Sequence, residues 1–253
     1  MKTRQKVRET LIITSFLLFP ATFYYFSPYL IIDGTLNGIV SGSFLFFSLL
    51  LVSALVLGRA FCGWACPAGG VQDIILKLYT RKVKRGNRIK WIIWIPWISF
   101  IVYLAIKNGG YRSVDPFYQT TFGLSIGNIH ALFTYLLVLA LIVLPAFFIG
   151  RRSFCHSICW MAPFMIIGRK IRNFIKFPSL QLVSVPESCR QCHTCITNCP
   201  MSLPVEEMVA RGKMENTECI LCGTCVDGCK SEAIHYDYNF HSKYPGRLPD
   251  IRK

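Results

Sequence analysis

The cysteine runs CRQCHTCITNCP at residues 189–200 and CILCGTCVDGCK at residues 219–230 decide the architecture of the C-terminal part of the chain. Both runs have the spacing C-x2-C-x2-C-x3-C. In proteins with two [4Fe–4S] clusters, the first three cysteines of such a run bind one cluster and the fourth binds the other. The spacing therefore predicts a small α+β, two-cluster ferredoxin-like domain, which we place at residues 179–238, followed by a tail at 239–253.

Crossed ligation divides the eight cysteines into two ligand sets. Zinc sites favour two separated C-x2-C pairs, and disulfide frameworks belong to small secreted chains, so neither fits this spacing. His193 and His235 lie near the runs and are expected to be solvent-facing loop residues. The cluster A cysteines are Cys189, Cys192, Cys195 and Cys229, and the cluster B cysteines are Cys219, Cys222, Cys225 and Cys199.

Four uncharged stretches precede these runs, at residues 11–32, 34–58, 91–106 and 131–150. A helix needs about 20 apolar residues to cross a bilayer, so the third stretch is short unless Lys90 and Lys107 extend it by snorkelling. We predict a four-helix membrane domain at residues 1–178, built from two repeated helix hairpins. A cleaved signal peptide in place of the first span, and a re-entrant third stretch, are the alternatives.

Basic residues mark one side of these stretches. Of the 28 Lys and Arg residues, 26 lie in residues 1–10, 58–90 and 150–253, and only Lys107 and Arg112 lie in the other loops. Because loops rich in Lys and Arg stay in the cytoplasm, both termini and all 12 cysteines are expected there. Residues 187–237 hold eight Asp and Glu against four Lys and Arg, so the net charge of +15 does not indicate nucleic-acid binding.

The predicted membrane domain contains an internal repeat. Residues 58–67 read GRAFCGWACP and residues 150–160 read GRRSFCHSICW, and both follow the pattern G-R-x(1–2)-F-C-x3-C. Two like halves predict pseudo-two-fold packing with the cysteine pairs meeting at the cytoplasmic face. Pro67 suits the first turn of a helix, so Cys66 should lie at a positive helix end. The paired cysteines are Cys62, Cys66, Cys155 and Cys159.

The paired cysteines admit several interpretations. Arg59, Arg151 and Arg152 lie close in sequence and are expected to stabilise thiolates. Four convergent thiolates form a complete ligand set for an additional iron–sulfur cluster, which is the interpretation that we favour. Thiol–disulfide switching, transient metal binding and plain buried thiols remain open. His156, inside the second pair, is either a ligand or proton relay or an ordinary hydrogen-bonding residue.

Two further features are weaker signals. Residues 71–79 and 164–177 have the pattern of interfacial amphipathic helices. Asp115 and His130 have the residue types of a quinone pocket, but an interfacial turn within an aromatic belt accounts for them better. A quinone is therefore a secondary candidate among the bound partners.

The order of these motifs resembles the NapH/MauN-type membrane polyferredoxins, which share their core with the NosR and CcoG proteins. The resemblance rests on four apolar spans, an F-C-x3-C pair after the second and fourth, and a two-cluster ferredoxin unit, and it covers residues 11–238. The family pattern C-x3-C-P is matched at Cys66-Pro67, whereas Trp160 follows Cys159.

The resemblance implies electron transfer at the cytoplasmic face of a prokaryotic inner membrane. Electrons would pass between a quinone pool or a cytoplasmic donor and a partner redox protein. The chain would then be an electron-transfer subunit of an oxidoreductase system rather than a stand-alone enzyme. An assembly factor that reduces a metal ion or thiols for another metalloenzyme is the alternative, and a scaffold without redox activity is a third hypothesis.

Overall fold

The first apolar stretch forms a broken helix in a computed structural model of the chain, which describes residues 3–79, 81–83, 88–120, 124–127 and 129–239. Helix α1 (Thr3–Leu17) is followed by α2 (Phe19–Thr22), a 3₁₀ turn at Phe23–Phe26 and α3 (Pro28–Leu36). The axis bends by 58° between Thr3–Leu17 and Phe19–Phe26. Pro20 lies in the first turn of α2 and Pro28 begins α3, where the missing N–H costs no helical hydrogen bond. The prolines therefore start new helices instead of kinking one continuous span.

Two helices among the described residues are long and apolar enough to cross a bilayer. They are α7 (Ile89–Lys107) and α8 (Ile129–Phe148), and the bent N-terminal pair would make a third if it is counted as one span. Helix α4 (Gly42–Leu57) is apolar but has only 16 residues. The third stretch is longer than expected because Lys90 lies within α7. Lys90 does not snorkel, since it is 1% exposed.

Each half of the helical region (residues 3–178) ends in the same sequence of elements. A long helix is followed by a five-residue helix, α5 (Ala60–Trp64) or α9 (Ser153–Ser157), and then by α6 (Pro67–Leu78) or α10 (Ala162–Ile175). Helix α6 packs on α1 and on α8 of the other half, while α10 packs on α4 of the first half. This exchange of helices between the halves is the packing expected of a pseudo-two-fold repeat.

Helices α6 and α10 each pack one face closely on the helical bundle. A Cβ on Gly70 would lie 2.6 Å from the Ile12 carbonyl oxygen, and one on Gly168 would lie 2.5 Å from that of Leu51. Glycine permits this close backbone approach because it has no side chain. Only parts of the two helices remain open, as Phe174 shows with 87% exposure. Each helix thus packs one face on α1 or α4 and leaves other apolar residues exposed, and its interfacial position stays a prediction.

The described residues contain two short sheets of two strands each. Strands β1 (Ile39–Ser41) and β2 (Ser113–Asp115) pair in parallel, whereas β3 (Ser179–Ser184) and β4 (Ile234–Asn239) pair antiparallel, from Ser179 opposite Asn239 to Ser184 opposite Ile234. Between β3 and β4 lie a 3₁₀ turn at Pro186–Ser188 and the short helices α11 (Thr194–Asn198), α12 (Val205–Ala210) and α13 (Thr224–Gly228). We call residues 179–239 the ferredoxin region. The remainder of the expected tail, 240–253, lies outside the described residues.

Candidate iron–sulfur centres

The two cysteine runs adopt the same backbone conformation. In each run, the second and fourth residues after the first cysteine have positive φ. Alternation of left-handed and right-handed residues turns successive N–H groups toward one concave side, and such nests bind anions. A thiolate-ligated cluster carries negative charge, so the loops fit it. The residues with positive φ are Gln191 and His193 in the first run and Leu221 and Gly223 in the second, with φ values of 52°, 57°, 52° and 76°.

Two cavities collect the eight cysteines of these runs. Each cavity is lined by three cysteines of one run and by the fourth cysteine of the other, which is the crossed arrangement that the spacing predicts. One cavity is lined by Cys189, Cys192, Cys195 and Cys229. The other is lined by Cys199, Cys219, Cys222 and Cys225.

The two cavities differ in their access to solvent. Cys192 of the cluster A cysteines is exposed, and the neighbouring His193 contacts Glu206 at the surface. Cys199, Cys222 and Cys225 of the cluster B cysteines are buried. Burial raises the pKa of Cys199 to about 12, so this thiol needs a bound cation such as iron to become a thiolate at neutral pH. The cluster A cavity therefore faces outward and the cluster B cavity faces inward.

The paired cysteines are all buried, each with 4% exposure. Cys66 is the N-cap of α6 with Pro67 after it, as the sequence predicts. Burial raises the pKa of Cys66 well above its usual value, and the charges of Cys62, Cys155 and Cys159 raise it further. The four cysteines belong to one buried core, and Arg152 of the second segment donates to the Cys62 carbonyl oxygen of the first at 2.8 Å, so the two segments that carry the pairs pack on each other.

The nearby arginines favour the thiolates, as expected, but burial of the cysteines outweighs them. Burial raises the pKa of Cys155 to about 12 and that of Cys159 to about 11, since the loss of hydration outweighs the opposite effect of Arg152 and Arg59. The N–H groups of Met161 and Ala162 lower the pKa of Cys159 only in part. A donor set of this kind becomes anionic when it binds metal.

The arginine three residues before each pair is completely buried. Arg152 donates from Nε to Asp73 at 2.8 Å and from Nη1 to the Cys62 carbonyl oxygen at 2.8 Å. Arg59 donates from Nη1 to Glu218 at 2.8 Å. The bonds of Arg152 join the two halves of the repeat, whereas the bond of Arg59 joins the helical region to the ferredoxin region. Arg151 is different, since it donates to the Thr197 carbonyl oxygen at 2.6 Å.

Ion pairs attach the ferredoxin region to the helices. We used the basic residues only to assign the topology and did not predict these contacts. The acidic character of residues 187–237, together with the basic helix ends, would have indicated them. The pairs are Lys90 and Arg59 with Glu218, Arg169 with Glu215, and Arg4 with Asp227. Gln5 also donates to Asp227 at 2.7 Å.

The paired cysteines lie next to the cluster B loop. A Cβ on Gly63, the neighbour of Cys62, would lie 2.4 Å from the Ile220 carbonyl oxygen and 3.3 Å from the Cys222 Cα. Trp64 donates from Nε1 to the Leu221 carbonyl oxygen at 2.9 Å. The paired cysteines therefore lie beside the cluster B loop, and the helices of the two cysteine runs, α11 and α13, pack on each other.

Other candidate residues have simpler surroundings. Asp115 accepts the Phe117 N–H at 2.9 Å, as in an ordinary turn, and His130 is exposed in the first turn of α8. His156 is buried, and burial lowers its pKa to about 4. Within the ranges described above, no three His, Cys, Asp or Glu residues are grouped tightly enough to hold a single metal ion.

Two protein families match the segments of the chain that carry the cysteines. The 4Fe-4S binding domain family matches twice, at residues 40–86 and 131–178, and each match contains one cysteine pair. The 4Fe-4S dicluster domain family matches residues 188–234. Together with the apolar helices, these matches define an iron–sulfur electron-transfer protein of the membrane.

Related proteins indicate which family of iron–sulfur proteins the chain resembles. The ferredoxin-type protein NapH of Haemophilus influenzae is 25% identical over 76% of this chain and 67% of its own length. The putative electron transport protein YccM of Escherichia coli is 24% identical over 79% of this chain and 57% of its own length. An uncharacterised protein of Methanocaldococcus jannaschii is 27% identical over 77% of this chain and 78% of its own. The chain belongs to the NapH-type membrane polyferredoxin family. No solved structure matches it.

Proposed function

We propose that this protein relays electrons between a quinone pool or a cytoplasmic donor and a partner redox protein, using two [4Fe–4S] clusters in the ferredoxin region and a third cluster at the paired cysteines. The observation that carries the proposal is the contact between the segment of Cys62 and the cluster B loop, together with the exposure of Cys192 among the cluster A cysteines. A bound [4Fe–4S] cluster takes up or releases one electron at a time, at a potential set by its surroundings.

The chain contributes ligands, insulation and charge to this task. Three of the four cluster B cysteines and all of the paired cysteines are buried, which favours a fixed potential for each site. Arg59 and Arg152 supply buried positive charge beside the paired cysteines. Exposed Cys192 marks the cluster A cavity as the place where a soluble redox protein would approach.

A four-span topology in a prokaryotic inner membrane, with both termini in the cytoplasm, is part of the proposal. The contact of Arg4 and Gln5 with Asp227 supports it, because it keeps the N-terminus on the same side as the ferredoxin region. The bent N-terminal pair would be the first span and α4 the second, with α7 and α8 completing the set. Reporter fusions at both ends would test this, and an external ferredoxin region would contradict it.

Iron analysis tests the cofactor content. Protein purified without oxygen should contain about twelve iron atoms, or about eight if the paired cysteines bind no cluster. Replacing Cys155 and Cys159 together with Ser should remove about four iron atoms and interrupt electron flow from quinol to the partner. Loss of metal delivery to another enzyme with quinol-linked electron flow intact would instead support an assembly factor.

A further inference from the structure

Arg59 and Arg152 occupy equivalent positions in the repeat but have different partners. Each lies three residues before the first cysteine of its pair, and each side chain is 0% exposed. Such buried guanidinium groups are expected to use their N–H donors fully, because an unmade hydrogen bond from a buried charged group is costly. Only one of the two meets that expectation.

Each of the three side-chain nitrogens of Arg152 has a partner in the protein. Its Nε donates to Asp73, its Nη1 to the Cys62 carbonyl oxygen, and its Nη2 reaches the Gly69 carbonyl oxygen at 3.5 Å. Asp73 also accepts from Arg8 at 2.7 Å. Arg152 therefore holds the two halves of the repeat together and has no donor nitrogen left for a ligand.

Among the described residues, Arg59 uses only one of its three side-chain nitrogens as a donor. Its Nη1 serves both Glu218 and the Thr217 carbonyl oxygen, whereas its Nε and Nη2 have no hydrogen-bond partner among the described residues. The Arg59 carbonyl oxygen accepts the Cys62 N–H at 3.1 Å, so Arg59 lies in the same turn as the first cysteine of its pair. The unused donors thus belong to a cation that lies beside the paired cysteines.

We propose that Arg59 donates its Nε–H and Nη2–H to sulfur atoms of the cluster bound by the paired cysteines, and so raises the reduction potential of that cluster. The inference rests on the proposed third cluster. One-electron reduction adds a negative charge to the cluster and its four thiolates, and a buried cation bound to their sulfur atoms stabilises the reduced form more than the oxidised form. Arg152 supports the site without donating to it.

Paramagnetic resonance of the full-length, cluster-loaded protein tests this assignment. In H₂O, the reduced third cluster of the wild type should show strongly coupled protons that disappear after exchange into D₂O. Arg59→Gln should lose these couplings, and the midpoint potential of that cluster should shift downward. The midpoint potentials of the two ferredoxin clusters should stay unchanged. Arg59→Lys keeps the charge but not the two-donor geometry, so it should lose at least one coupling with a smaller shift.

Two controls separate hydrogen bonding from charge and folding. Arg152→Lys should leave the exchangeable couplings unchanged. In the double variant Arg59→Gln/Glu218→Gln the net charge is that of the wild type, and the couplings should still be absent. Unaltered couplings in both Arg59 variants, with wild-type iron content, would overturn the role of Arg59 and leave the proposed function intact. A wild type with only two clusters would refute the third cluster and the role of Arg59 with it.

Discussion

The Lys90 ammonium group lies 2.6 Å and 2.7 Å from the two carboxylate oxygens of Glu218, and both side chains are buried. Lys90 belongs to the first turn of α7, and Glu218 immediately precedes Cys219 of the cluster B cysteines. An apolar helix is thereby attached to a cluster loop through a contact between residues 128 positions apart. The pair makes the position of the ferredoxin region depend on the helices.

Replacement of Lys90 should loosen this attachment. Lys90→Met leaves Glu218 buried with Arg59 as its remaining ionic partner, and removing one member of a buried pair costs about 3–5 kcal/mol. We expect a lower thermal midpoint and faster proteolysis between the helical and ferredoxin regions. Lys77→Met is the matched control, because its pair with Glu9 is exposed and contributes about 0–1 kcal/mol. Equal stability of the two variants would contradict the role assigned to Lys90.

Gly63→Ala should separate the paired cysteines from the cluster B loop. The new Cβ would lie 2.4 Å from the Ile220 carbonyl oxygen. The backbone shifts that such overpacking forces destabilise the folded protein by about 1–3 kcal/mol. We expect slower electron transfer through the protein in stopped-flow reduction, with all clusters still bound. Gly228→Ala is the control, because its Cβ would meet Thr194 Cγ2 at an ordinary 3.5 Å. Unchanged rates in Gly63→Ala would show that this contact does not control electron transfer.

Crossed ligation predicts which single cysteine variants behave alike. Cys199→Ser should damage the same cluster as Cys225→Ser, although Cys199 belongs to the other run, since both line one cavity. Cys229→Ser should resemble Cys195→Ser for the same reason. Redox titration followed by EPR should show two pairs of matching spectra. Matching spectra within each run instead of across the runs would rule out the crossed assignment.

The basic N-terminus should remain in the mature protein. Gln5 and Arg8 are buried, and Arg4 forms two hydrogen bonds with Asp227, so cleavage after the first apolar stretch would remove part of the contact with the ferredoxin region. N-terminal sequencing of the membrane-extracted protein should therefore begin before Arg4. A mature N-terminus within residues 20–35 would restore the signal-peptide interpretation.

Local sequence determined the parts of this protein that depend on neighbouring residues. The spacing of the cysteine runs predicts loops that fold by short-range turns, and the matching φ values at Gln191 and Leu221 follow from that repetition. Pro67 marks the beginning of α6 because proline fits the first turn of a helix. The family resemblance, which rests on these motifs and their order, is confirmed by the relatives and the matching family descriptions.

Only the tertiary structure decided features that depend on burial and on distant partners. The bend after Leu17, the burial of Lys90 and the raised pKa of Cys155 all arise from packing between segments far apart in the chain. Arg59 and Arg152 look alike in sequence, yet one finds Glu218 and the other Asp73. The physical reason is that the hydration and the ionic partners of a side chain depend on the groups packed around it in the folded protein. The local sequence does not specify which distant residues those are.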